Sequence, residues 1–109
     1  MSNHRLYELH ASICQTLSNP KRLEVIECLR DRELPVIRLA ELTHINQANL
    51  SQHLALMREK GILIARREGV NVYYRLSNPK ISQACDLMRQ VLLEQLQAAG
   101  ELAEISRST

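Results

Sequence analysis

The stretch from Ile37 to Gly61 limits the fold most tightly. Two short apolar-periodic segments, Ile37–Leu42 and Ala48–Met57, are joined by the polar turn Thr43-His44-Ile45-Asn46. Apolar residues three and four apart mark helical faces. The spacing predicts a brief helix marked by Ile37, Leu39, Ala40 and Leu42, then a second with Ala48, Leu50, Leu54 and Met57 on its inward face. Asn46 suits the N-cap of the second helix, and Gly61 suits the left-handed residue that stops it.

A hairpin follows without a linker. Ile62–Arg67 reads as a strand, Glu68-Gly69-Val70-Asn71 as a turn with Gly69 and Asn71 tolerating positive φ, and Val72–Leu76 as the β-rich return strand. Upstream, Leu6, Leu9, Ile13 and Leu17 recur at helical spacing beside a second stripe of Tyr7, His10 and Cys14. Ser18-Asn19-Pro20 then gives a cap and a proline at the first helical position, starting a helix to about Asp31 that buries Leu23, Ile26 and Leu29. Glu33–Val36 is extended, because Pro35 disfavours helix at Leu34. Ser77-Asn78-Pro79 repeats the cap-and-proline signal, and a long helix runs from Pro79 to about Ala99.

Two short helices joined by a tight turn and followed by a hairpin describe a winged helix-turn-helix, a mainly α chain with a β-hairpin wing. The 109 residues fit one domain, 1–109, with the last nine or so as a frayed tail. With 45% hydrophobic and 24% charged residues the chain is expected to fold, and no apolar run approaches the ~18 residues of a membrane span. MSNHRLYELH lacks the apolar centre of a signal peptide, so the expected location is the cytoplasm. No Gly-rich phosphate loop, HExxH or GxSxG occurs, which argues against an enzyme, and no cofactor is expected.

The second helix of such a pair enters the major groove of duplex DNA. Its polar residues here are Gln47, Asn49, Ser51, Gln52 and His53; at 3.6 residues per turn not all five can face the groove, and local packing or bonding is the alternative for His53. Gln and Asn can pair bidentately with adenine, and Ser can meet base or phosphate. Net charge is only +2, but Arg58, Lys60, Arg66, Arg67 and Arg75 cluster against Glu59 and Glu68 alone. Such a cluster fits either a phosphate-binding surface or a solvated hairpin. Arg66 and Arg67 are the wing candidates. Tyr73 and Tyr74 alternate faces, one packing on the core, and Tyr74 is taken for the DNA side. A winged-helix interaction module without DNA affinity is the rival reading.

These residues resemble the ArsR/SmtB repressor family. Leu17–Leu23 is similar to its "LsdptRl" opening, Gln47–Leu54 to its recognition helix "sqstvSrHL", Arg58–Leu63 to "LreaGlv", and Arg66–Gly69 with Val72–Leu76 to "rReGrwvyYrl". The match spans roughly residues 15 to 93. It implies a repressor acting as a homodimer joined by its first and last helices on an inverted-repeat operator, with Ser51 and Gln52 closest to the family's DNA-contacting positions. The wide apolar faces of Leu6–Leu17 and Ile81–Leu96 agree with a dimer; packing on one another in a monomer is the alternative.

The sequence departs from the family where relatives bind metal. The "Glu-Leu-Cys-Val-Cys" box here reads Glu33-Leu34-Pro35-Val36-Ile37, and no histidine follows His53, so neither usual site has its ligands. No metal site is expected. The cysteines, Cys14, Cys28 and Cys85, form no CxxC pair. They are either small core hydrophobes or a thiol switch answering arsenite, persulfide or oxidant.

Overall fold

A computed structural model describes residues 3–100. The elements run α1 (Asn3–Leu17), α2 (Pro20–Cys28), β1 (Leu34–Pro35), α3 (Val36–Thr43), α4 (Gln47–Glu59), β2 (Leu63–Glu68), β3 (Asn71–Leu76) and α5 (Lys80–Ala98). The frayed tail expected after Gly100 lies outside the described residues. The element order is the one the sequence predicts, and a winged helix-turn-helix results.

The local signals act as expected at most boundaries. Asn19 Oδ1 accepts from the backbone N–H groups of Lys21 and Arg22, with Pro20 opening α2. Asn78 Oδ1 accepts from Lys80 N at 2.9 Å, the same device before α5. α2 is shorter than expected: it ends at Cys28, and the chain reverses through Asp31 at φ 56°. Its buried face is Val25, Ile26 and Leu29, while Leu23 stays partly exposed.

The core gathers one face from each of α2, α3 and α4 under the hairpin. Val25, Ile26, Leu39, Leu50, Leu54 and Met57 are fully buried, with Ile62, Leu63 and Leu76 closing the sheet side. Each such side chain contributes roughly 1.5–3 kcal/mol on leaving water, so aliphatic residues and methionine hold the fold without Trp or Phe. The sheet order is β1-β3-β2, all antiparallel, with Leu34 opposite Tyr74 and Leu63 opposite Leu76. β1 thereby stitches the α2–α3 connection to the base of the wing.

α1 and α5 keep apolar faces that nothing among the described residues covers. Tyr7 is 66% exposed, Leu87 65% and Met88 70%, with Leu6, Leu9, Val91, Leu92 and Leu93 also open. The two helices do not hide these faces on one another. α5 is instead docked on α2 at its N-terminal half by Ile81 and Cys85 and by an ion cluster. There Arg30 donates to Asp86 Oδ2 at 2.8 Å and to Glu27 Oε2 at 2.8 Å, and Arg89 approaches Glu27 at 3.4 Å.

Candidate nucleic-acid interface

The turn before α4 is built from four residues with distinct tasks. Thr43 Oγ1 donates to the Leu39 carbonyl at 2.7 Å and accepts from Ile45 N. His44 takes the left-handed conformation at φ 57° that reverses the chain, and Ile45 is buried as the plug of the turn. Asn46 Oδ1 accepts from Ala48 N at 2.8 Å and Asn49 N at 3.2 Å, capping α4. Leu50, Leu54 and Met57 then anchor the helix, and its far side is left to solvent.

Gln47, Asn49, Ser51 and Gln52 are exposed. Among the described residues none of their side chains is engaged in a hydrogen bond, so their donors and acceptors are open to a partner. Ala48, expected on the inward face, is exposed. At 3.6 residues per turn it lies one turn before Gln52 and beside Ser51, opposite the Leu50–Leu54–Met57 anchor. Alanine is small enough for either face, so its hydropathy gave no usable signal.

Of the two roles open to His53, DNA contact or local bonding, the structure shows a local bond. It is half-buried against α2, where Arg22 Nε donates to its Nδ1 at 3.0 Å. Burial, and then the adjacent Arg22 and Lys21 charges, hold its pKa below the usual imidazole value, favouring the neutral ring that this bond requires.

The wing divides its two arginines. Residues 63, 65 and 67 share one face of β2 with 72, 74 and 76 of β3, and residues 64, 66 and 68 share the other with 71, 73 and 75. Arg66 is committed within the protein: it donates to Glu33 at 2.6 and 3.1 Å, to Glu68 at 2.6 Å, and its guanidinium lies 4.7 Å over the Tyr73 ring. Arg67, on the opposite face, is exposed with no ion pair among the described residues. Tyr74 is the second correction. Its parity with Leu63 and Leu76 turns it onto the core, and Tyr73 takes the outer face. At the tip Gly69 supplies the positive φ of 62°, while Asn71 simply begins β3; Val70 stands 95% exposed.

α4 and the wing are adjoined rigidly. Gly61, at φ 76°, ends α4, Ile62 N donates to the Met57 carbonyl at 2.9 Å, and Ser77 Oγ closes on the Gly61 carbonyl. An open polar helix face held next to a hairpin with a free cation is an arrangement for reading a polyanion.

The model of the bacterial regulatory proteins of the arsR family matches residues 19–65. An uncharacterised HTH-type transcriptional regulator of Mycobacterium tuberculosis, Rv0081, is 32% identical over 92% of this chain and 97% of its own length. The chain belongs to the ArsR family. As an ArsR-family member it is a winged helix-turn-helix transcriptional regulator. The crystal structure of Rv0081 superposes with a TM-score of 0.78 at 33% identity, covering 86% of this chain and 95% of the other. The homodimeric winged helix-turn-helix DNA-binding domain of Mb0332 from Mycobacterium bovis also gives 0.78, at 28% identity over 90% of this chain and 93% of its own. The transcriptional activator HlyU of Vibrio cholerae is 32% identical over 72% of this chain and 73% of its length.

In this ArsR-family chain the three cysteines are free thiols that differ in exposure. Cys14 is exposed on α1, whereas Cys28 and Cys85 are partly buried against the core. Burial pushes the pKa of both Cys28 and Cys85 up, which suppresses the thiolate that a sensing cysteine needs. Among the described residues no three of His, Cys, Asp and Glu gather as metal ligands would, and no helix is long and apolar enough to cross a membrane.

Proposed function

We propose that this ArsR-family regulator is a homodimeric repressor that binds an inverted-repeat operator through α4 and the wing. The observation that carries this is the open face of α4: Ser51 and Gln52 at its centre, Gln47 and Asn49 flanking, their side chains without a hydrogen bond among the described residues, on a helix whose other side is fixed in the core. Gln52 is the base reader, and Ala48 offers a methyl group beside it for a thymine methyl. Arg67 supplies a phosphate contact from the wing.

The uncovered faces of α1 and α5 support the dimer, since contiguous exposed apolar surface on this scale marks an interface. Mb0332 is homodimeric. A two-fold protein axis requires a two-fold operator, with half-sites about one helical turn, ~34 Å, or a multiple apart. Repression follows from occlusion: a bound dimer covers the promoter, and no further partner is needed. The chain acts in the cytoplasm, where that DNA lies. Pro35 and Ile37 occupy the positions of the family's thiolate box, so zinc, cobalt or nickel bound there does not release the DNA.

Footprinting on the DNA beside the chain's own gene, paired with a promoter-reporter assay, tests this reading. Two protected half-sites related by a dyad, with lowered transcription, are expected. Protection without symmetry contradicts the dimeric operator, and raised transcription contradicts repression.

A further inference from the structure

Among the described residues, His53 makes the only side-chain hydrogen bond from α4 to another helix. Its partner, Arg22, has a second commitment. Arg22 Nη1 donates to the Thr16 carbonyl at 3.0 Å, and its own backbone N–H is held by the Asn19 cap. Thr16 is buried at the end of α1, its hydroxyl turned onto the Ser12 carbonyl at 2.9 Å. One guanidinium therefore ties the end of α1 and the start of α2 to the middle of the recognition helix.

We propose that Arg22 and His53 are positioning residues that set the roll of α4 about its axis against α1, so that base discrimination depends on their hydrogen bond. The proposal rests on the DNA-binding function above. Beyond the backbone bond from Ile62 to Met57 at its C-terminal end, α4 is anchored by Leu50, Leu54 and Met57, and apolar packing is not directional. Ser51 and Gln52 immediately precede His53 on the helix. α4 meets the wing at its C-terminal end, where Ile62 N donates to the Met57 carbonyl; a shift of its N-terminal half that broke the His53 bond would carry Ser51 and Gln52 away from the groove floor and leave the charge of the wing unchanged. Because α1 carries part of the uncovered apolar face, the same guanidinium also links the dimer seam to the reading helix.

The bond needs a neutral imidazole, with the proton on Nε2 and the lone pair on Nδ1. The charged groups acting on His53 are Arg22 and Lys21, both on α2 and both cationic; α1 contributes the Thr16 carbonyl through Arg22. A second proton on the ring would abolish the acceptor and add a third positive charge. His53 is thus lost as a tie at acid pH.

The test is competition between labelled operator and random duplex, measured by anisotropy, for the wild type, His53→Ala, Arg22→Met and His53→Asn, with folding checked by circular dichroism. The Ala and Met variants are expected to lose about tenfold in the operator-to-random ratio, one charge-assisted hydrogen bond, with an unchanged salt slope. His53→Asn, whose Oδ1 can accept in place of Nδ1, retains most of the ratio. The wild-type ratio falls as pH drops below the ordinary imidazole value of about 6.5, and the His53→Asn ratio does not, although its other histidines are intact. Should the Ala and Met variants fail to fold, the pH profiles of wild type and His53→Asn decide. An unchanged ratio in both disrupted variants overturns the proposal, as does a wild-type pH profile identical to that of His53→Asn. A salt slope reduced by about one phosphate contact in Arg22→Met overturns it too, by making Arg22 a DNA ligand. A wild type with no operator preference at all strikes the DNA-reading function itself, and is seen before any variant is measured.

Discussion

Arg66 holds the Glu33 carboxylate with two nitrogens, Nη2 at 2.6 Å and Nε at 3.1 Å, bracing the wing against the connection between α2 and α3. This hydrogen bond lowers the pKa of Glu33 from its ordinary value. The pairing splits two adjacent arginines into different tasks: Arg66 braces, and Arg67 remains available to phosphate.

The wing prediction separates these tasks. Arg67→Ala should reduce the slope of log K against log salt by about 0.9, the loss of one phosphate contact. Glu33→Gln discriminates between a brace and a ligand at Arg66. If Arg66 braces the wing, removing its carboxylate partner weakens operator binding. If Arg66 were itself a phosphate ligand, freeing it from Glu33 would strengthen binding, and that outcome would move the contact from Arg67 to Arg66.

Much of this was readable in advance, because the deciding signals are local. Asn46 and Gly61 delimit α4 by their own backbone chemistry, and the apolar spacing of Leu50, Leu54 and Met57 fixes its buried side. What escaped the sequence depends on distant partners. The sequence leaves His53 open between DNA contact and a local bond, because Arg22, which claims it, lies 31 positions away. The face taken by Tyr74 follows from its registry with Leu34 on β1 and Ala65 on β2, which alternation alone leaves undecided. Arg66 and Arg67 look equivalent until Glu33 is brought across to one of them.

For the assembly, light scattering at about micromolar concentration is expected to show a dimer, and Leu92→Asp a monomer, because the substitution would bury an unpaired charge in the seam. A wild-type monomer under these conditions would remove α1 and α5 as the interface.

The thiols should differ in reactivity. In the native protein at neutral pH, a disulfide reagent is expected to modify exposed Cys14 first, and Cys28 and Cys85 slowly, since burial keeps both of the latter protonated. Their rates should rise as pH is raised toward their elevated pKa. Rapid labelling of Cys85 at neutral pH would restore it as a sensor candidate.

The α2–α5 cluster predicts acid sensitivity. Hydrogen bonds from Arg30, reinforced by the Arg30 and Arg89 charges, hold the Asp86 and Glu27 carboxyls below their ordinary range. A depressed carboxylate contributes stability above its unfolded pKa, about 4, and that contribution disappears as pH falls through the lower folded value. Thermal melts from pH 7 to pH 3 should therefore show wild type losing more stability than Asp86→Asn, and the two curves converging at the acid end. Parallel curves would show that the cluster is a solvated surface pairing without linkage.

Base reading by α4 is tested most directly by operator-against-random competition for Gln52→Ala beside the wild type. Gln52→Ala should lose roughly 1–3 kcal/mol of discrimination, with random-duplex affinity and its salt slope preserved, and Ser51→Ala should fall in the same direction. An operator-to-random ratio equal to wild type in both variants would contradict the assignment of this face to the major groove.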